Sequence, residues 1–148
     1  MDQDVIERSI DIDAPAERVW TLVSEPGWWI NEGAYRPHKI EHRDGVDLVT
    51  DEEHGTFPIV IQKLDPPHYA AFRWLERWVD DGGNVDTSGP GTTTEFWIDQ
   101  RDGGVTLRVR ESGFASLDKS AQELRKHIDE NSKGWEIELG VAKKHVES

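Results

Sequence analysis

The chain has no cysteine. Disulfides, thiolate metal sites and cysteine nucleophiles are excluded together, and a reducing compartment is compatible. Basic residues are few: 17 Lys and Arg stand against 30 Asp and Glu, a formal net charge of -13. Nucleic-acid binding needs a basic footprint, so no nucleic-acid partner is expected. Anionic membrane surfaces are disfavoured for the same reason. Apolar runs are short, none nearing the ~18–20 residues that cross a bilayer, so no membrane span is expected. The opening stretch MDQDVIERSID is acidic and lacks the apolar segment of a signal peptide. Cytoplasm is the expected location. No phosphate loop or dinucleotide fingerprint occurs, and the glycines of DDGGNVDTSGPG follow neither spacing. No cofactor is therefore expected. The G-x-S-x-G elbow of a serine nucleophile is also missing.

What is present fits one domain, 1–148, long enough to bury a substantial core. Seven tryptophans are a rich supply of large, semi-polar side chains, which fill cores and line cavities. VIERSIDIDAP alternates and reads as a strand, with Ile6, Ile10 and Ile12 on one face and, unexpectedly, Arg8 beside them. APAERVWTLVS reads as a helix, with Pro15 in its first turn and Glu17 at its positive end. EPGWWI stops it and presents Trp28 and Trp29. Short strands follow from Tyr35 to Val60, then TFPIVIQKLDPP and HYAAFRWLERWV. TTTEFWID and GVTLRVRESGF form a hairpin. The tail is helical, with Asn131 or Ser132 available to cap its second part. Trp135, Leu139, Ala142 and Val146 share one helical face. Gly140, mid-helix, costs about 1 kcal/mol relative to Ala, which close packing or room for a ligand would explain.

Within AFRWLERWV, side chains two apart share a face. One face carries Phe72, Trp74, Glu76 and Trp78; Arg73 and Arg77 place the other toward water. Three aromatics and a carboxylate thus point inward, and a lone buried charge costs several kcal/mol. The hairpin repeats the pattern. Thr94, Phe96 and Ile98 face one way, and Glu111 follows Val105, Leu107 and Val109.

The segments ERSIDIDAPAERVWTLVSEPGWW, LDPPHYAAFRW, TTTEFWID, GGVTLRVRESGF and NSKGWEIEL occur in this order. Together they resemble the SRPBCC, or START-like, superfamily, and within it the bacterial branch related to the activator of heat-shock protein 90 ATPase. The resemblance runs from Ile6 to Val146. It implies an α+β helix-grip fold: a curved antiparallel sheet of about six or seven strands around a long C-terminal helix, with an internal cavity. It also implies that the face of Phe72, Trp74, Glu76 and Trp78 looks into that cavity. The expected ligand-binding residues are these four with Arg8, Trp28, Trp29, Phe96, Val109, Glu111, Trp135 and Leu139. Trp28 and Trp29 would border the cavity mouth, as gates or as core.

Arg8, Glu76 and Glu111 are then an inward charge trio, able to fix a polar ligand group or to form a self-satisfied network. Because the fold places the first and last strands side by side, Glu111 is the expected partner of Arg8. HKIEH, His38 to His42, matches the H-x-x-E-H zinc pattern, but that motif needs a helix. Pro37 before it and RDGVD after it indicate strand and turn, so exposed histidines and no metal are expected. The loop DDGGNVDTSGPG is expected to be the most mobile internal segment and a candidate lid. The leading functional expectation is a non-catalytic binder of a hydrophobic small molecule. The alternatives are a chaperone-associated protein and a cyclase- or hydrolase-type enzyme using Glu76 and Glu111.

Overall fold

Alternating apolar residues build the first strand, and antiparallel pairing carries the pattern across the sheet. The computed structural model describes residues 5–148. β1 (Val5–Ile12) leads into α1 (Ala16–Val23), then β2 (Lys39–Arg43), β3 (Val46–Asp51), β4 (Gly55–Asp65), β5 (Tyr69–Leu75), β6 (Gly91–Arg101) and β7 (Gly104–Ser112). A 3-10 turn at Phe114–Ser116 precedes α2 (Ala121–Glu147). The seven strands form one curved antiparallel sheet in the order β1-β7-β6-β5-β4-β3-β2. This is the expected α+β helix-grip architecture.

The inner face is set by strand parity. Ile6, Ile12, Ile59, Ala70, Phe72, Phe96, Ile98, Val105, Leu107 and Val109 are buried in one core with Val19 and Val23 of α1. Trp135, Leu139, Ala142 and Val146 of α2 join the same core, as their helical spacing requires. Full burial of each large side chain contributes about 1.5–3 kcal/mol. The outer face holds a second, small cluster of Val46, Leu48 and Leu75, with Val60, Trp78 and Val85 against it.

α2 is one helix, not two. Ser120 caps it: its Oγ accepts from the Glu123 backbone N–H, and the Glu123 carboxylate accepts from the Ser120 N–H. Neither Asn131 nor Ser132 caps anything. The Ser132 hydroxyl donates to the Ile128 carbonyl one turn back, and the Asn131 amide reaches β7. Gly140 is exposed, and an added Cβ would meet nothing within 4 Å, so neither close packing nor a ligand explains it.

Candidate functional site

A cavity of about 350 Å³, open to solvent on one side, lies between the inner face of the sheet and α2. Helical periodicity builds one wall. Asn131, Gly134, Trp135 and Glu138 stand at i, i+3, i+4 and i+7 and line the space together. β5 contributes Trp74, β6 Thr92 and β7 Glu111; the turn after α1 contributes Trp29. Two glycines permit this assembly. Gly27 has φ +77°, and a Cβ there would press on Val49 at 2.8 Å, so the turn that delivers Trp28 and Trp29 needs glycine. Gly91, which pairs with Leu75, brings its strand so close that a Cβ would lie 2.4 Å from the Trp74 carbonyl oxygen.

Trp29 is the hub of the aromatic wall. Its ring centroid lies 5.9 Å from Trp74, 5.8 Å from Trp135, 5.6 Å from Phe72 and 5.7 Å from Phe96. Tilted contacts at these separations suit the ring quadrupoles.

Glu111 is 2 % exposed at the cavity floor. Its Oε1 accepts from Trp135 Nε1 at 2.9 Å and Asn131 Nδ2 at 3.1 Å, and its Oε2 accepts from Thr92 Oγ1 at 2.7 Å. All three donors are neutral. Among the described residues, Arg8 pairs with Glu136 and Lys119 with Glu76, and no cation pairs with Glu111. Higher on the same wall, Glu138 Oε1 accepts from Asn31 Nδ2 at 2.7 Å. Burial outweighs that bond and pushes the Glu138 carboxyl up to about 7.

The expected site residues divide into three groups. Trp29, Trp74, Glu76, Glu111 and Trp135 line the cavity. Trp28, Phe72, Phe96, Val109 and Leu139 are packed in the core and do not line it. Trp28 is fully buried, so of the two adjacent tryptophans only Trp29 borders the space.

Trp78 and Arg8 depart from expectation. β5 ends at Leu75, opposite the first residue of β6, so strand parity does not extend to Trp78. The chain leaves the sheet there, and Trp78 turns to the outer cluster, with the Arg43 guanidinium 5.7 Å from its ring. Glu76, one residue past the strand, sits at the cavity rim 3.8 Å from Lys119. Arg8 has the inward parity but not the expected partner. The register sets Ile6, not Arg8, opposite Glu111, while Arg8 faces Val109. On an edge strand its half-exposed side chain instead lies 3.8 Å from Glu136 of α2.

Two further readings are corrected. The loop after β5, expected as a candidate lid, packs its Val85 with Trp78 in the outer cluster and contributes no residue of 80–90 to the cavity lining. His38 is not exposed: its side chain is buried, with Nε2 3.0 Å from Asp51 Oδ1. Asp51 also takes a bidentate pair from Arg36, at 2.7 and 2.6 Å, and backbone N–H bonds from Glu53 and His54. The Arg36 guanidinium foremost holds the Asp51 carboxyl well below the usual carboxylate range. His42 is exposed and contacts Asp47. Glu41 pairs with Arg43, so HKIEH is dispersed among separate partners along a strand.

Thr92, Asn131, Gly134 and Glu138 were not anticipated. The helix residues had a usable signal, because all fall on the turns flanking Trp135. Thr92 had none, since its role depends on the pairing of β6 with β7.

The family model described as Activator of Hsp90 ATPase homolog 1-like protein matches residues 13–145. Among solved structures, protein MLL2253 from Mesorhizobium loti is similar at 15% identity and a TM-score of 0.65, covering 95% of this chain and 94% of that one. The Aha1 dimer from Colwellia psychrerythraea is similar at 17% identity and a TM-score of 0.64, covering 97% and 96%. The di-domain ARO/CYC BexL from the BE-7585A biosynthetic pathway is similar at 16% identity and a TM-score of 0.61. There the match covers 97% of this chain but only 50% of BexL. At such identities these likenesses concern the fold alone. No curated protein matches the sequence. No helix among the described residues is long and apolar enough to cross a membrane. With nearly its whole length matched by the family model, the chain belongs to the Activator of Hsp90 ATPase homolog 1-like family.

Proposed function

We propose that this protein binds an amphipathic small molecule in the cavity between the sheet and α2. The observation that carries the reading is a cavity of about 350 Å³ walled by Trp29, Trp74 and Trp135, with Glu111 at its floor. Small-molecule sites commonly combine such a volume with mostly apolar walls and a few convergent polar groups. The aromatic rings supply burial; the polar groups supply orientation.

Gly134 provides the test. It borders the cavity, and an added Cβ meets no atom within 4 Å. Gly134→Leu should fold, because leucine favours the helix, while its side chain fills the cavity. The neutral fluorophore N-phenyl-1-naphthylamine is expected to brighten on addition to the native protein and not with Gly134→Leu. Equal brightening with both proteins would refute the assignment. Native mass spectrometry of the purified protein would show whether a small molecule accompanies it.

A second reading, association with a chaperone, draws on the family description. It predicts stimulation of a chaperone ATPase that Gly134→Leu leaves intact. The enzymatic reading gains less support. Glu76 is engaged by Lys119 and Glu111 by three donors, and no catalytic residue is assigned.

A further inference from the structure

We infer that the ligand of this cavity is an organic cation, an amine or quaternary ammonium group attached to an apolar body. The inference rests on the cavity reading above and names the chemistry that the cavity selects. The argument begins with charge. Four carboxyl groups line the space, those of Glu76, Glu111, Glu130 and Glu138, against two basic side chains, Lys119 and His127. Lys119 is already paired with Glu76. The His127 ring packs edge-on to Phe114, 5.6 Å between centroids. Glu130, largely exposed, pairs with Lys126 one turn back at 3.9 Å. Glu111 and Glu138 therefore face the cavity with no cation paired to them among the described residues. A buried carboxylate without a counter-charge is uncommon, because its desolvation is usually offset by a partner. Glu111 has about four acceptor positions, and the three neutral donors occupy three of them.

The walls point to the same class. The faces and edges of Trp29, Trp74 and Trp135 converge here, and tryptophan is the side chain whose ring attracts organic cations most strongly. An ammonium group placed among these rings would meet the carboxyl groups of β7 and α2 in a partly desolvated space, where charge attraction is stronger than in water. An anionic ligand would meet two uncompensated acids, Glu111 and Glu138. A purely apolar one would leave them uncompensated.

Glu138 adds a proton linkage. Its carboxyl, pushed up to about 7 by burial, shares the cavity with Glu76, Glu111, Glu130, Lys119 and His127, and accepts a bond from Asn31. A bound cation favours the ionised carboxyl, so binding should release a proton near neutrality and tighten as pH rises from about 6 to 8.

The test uses the full chain and three probes of matched shape, followed by tryptophan fluorescence at low salt. They are benzyltrimethylammonium, its uncharged isostere neopentylbenzene, and the anion phenylmethanesulfonate. The cation is expected to bind at least about tenfold more tightly than the uncharged isostere, and the anion least. Glu138→Gln, at a half-buried position, should weaken cation binding severalfold, leave the uncharged probe within about twofold, and flatten the pH dependence. Equal or tighter binding of the uncharged or anionic probe overturns the inference while leaving the cavity reading intact. So does a cation affinity indifferent to Glu138→Gln. Failure of all three probes overturns the cavity reading and this inference with it.

Discussion

Replacing Glu111 by alanine should destabilise the protein by about 3–5 kcal/mol, and replacing it by glutamine by only about 1–2 kcal/mol. The magnitudes follow from three hydrogen bonds. Alanine removes both acceptor oxygens. Trp135 Nε1 and Thr92 Oγ1, both on buried residues, then lose their partner, and each orphaned buried group costs about 1–3 kcal/mol. Asn131 is only half-buried, so water replaces part of its lost bond. Glutamine keeps one carbonyl oxygen for Trp135 and Asn131, and its amide can donate to a rotated Thr92 hydroxyl. Only the charge assistance is lost. Guanidinium unfolding monitored by tryptophan fluorescence would measure both, with the slope checked for constancy. Alanine and glutamine variants of equal stability would refute the hydrogen-bond argument. An alanine variant within 1 kcal/mol of the parent would show that the cavity floor is hydrated and that Glu111 is not a structural acceptor.

Asp51→Asn should cost about 3 kcal/mol or more at neutral pH, because it breaks a buried, bidentate pair with Arg36. The folded-state pKa of Asp51 is depressed, so its contribution is complete above about pH 5 and is lost as pH falls through the carboxylate range. The stability gap between parent and variant should therefore narrow in acid, as pH-dependent unfolding would show. Gly134→Ala should raise stability by roughly 1 kcal/mol, since the helix gains propensity and the new methyl meets open space; thermal unfolding would detect it. Arg8→Ala should change stability by less than about 1 kcal/mol, because its ion pair with Glu136 is half exposed. Backbone amides of residues 82–88 should exchange with solvent faster than those of residues 106–109, which hydrogen–deuterium exchange would resolve.

Period-two alternation was sufficient, by itself, to orient the strands. Ile6 with Ile12, Phe96 with Ile98, and Leu107, Val109 and Glu111 share the inner face as their spacing requires, because the pleat leaves a paired strand no other arrangement. The same local logic placed Trp135, Leu139 and Ala142 on the buried stripe of α2. The order of these segments carried the fold class and the family.

Where strand pairing stops, that logic stops with it. Trp78 continues the written alternation of Phe72 and Trp74, yet the β5–β6 ladder ends at Leu75, the chain then pairs with its own following loop at Val79 and Val85, and the side chain moves to the opposite face. Partner choice was also beyond local reading. Arg8 and Glu111 lie on adjacent strands, but the register offsets them by one pair on the inner face, and α2 brings Glu136 within reach of Arg8 instead. Asn131 resembled a helix cap because caps and long-range donors are the same side chains; only the packing of α2 over β7 showed which acceptor it meets. His38 was legible as a histidine in an extended segment, but its burial arises from Asp51 at the end of β3 and from Arg36, which pairs with that aspartate from the connection before β2. The cavity itself was decided at this level. It exists where Trp29 from a turn, Thr92 and Glu111 from adjacent strands, and Gly134 from the helix converge, and no stretch of sequence holds more than one of those surfaces.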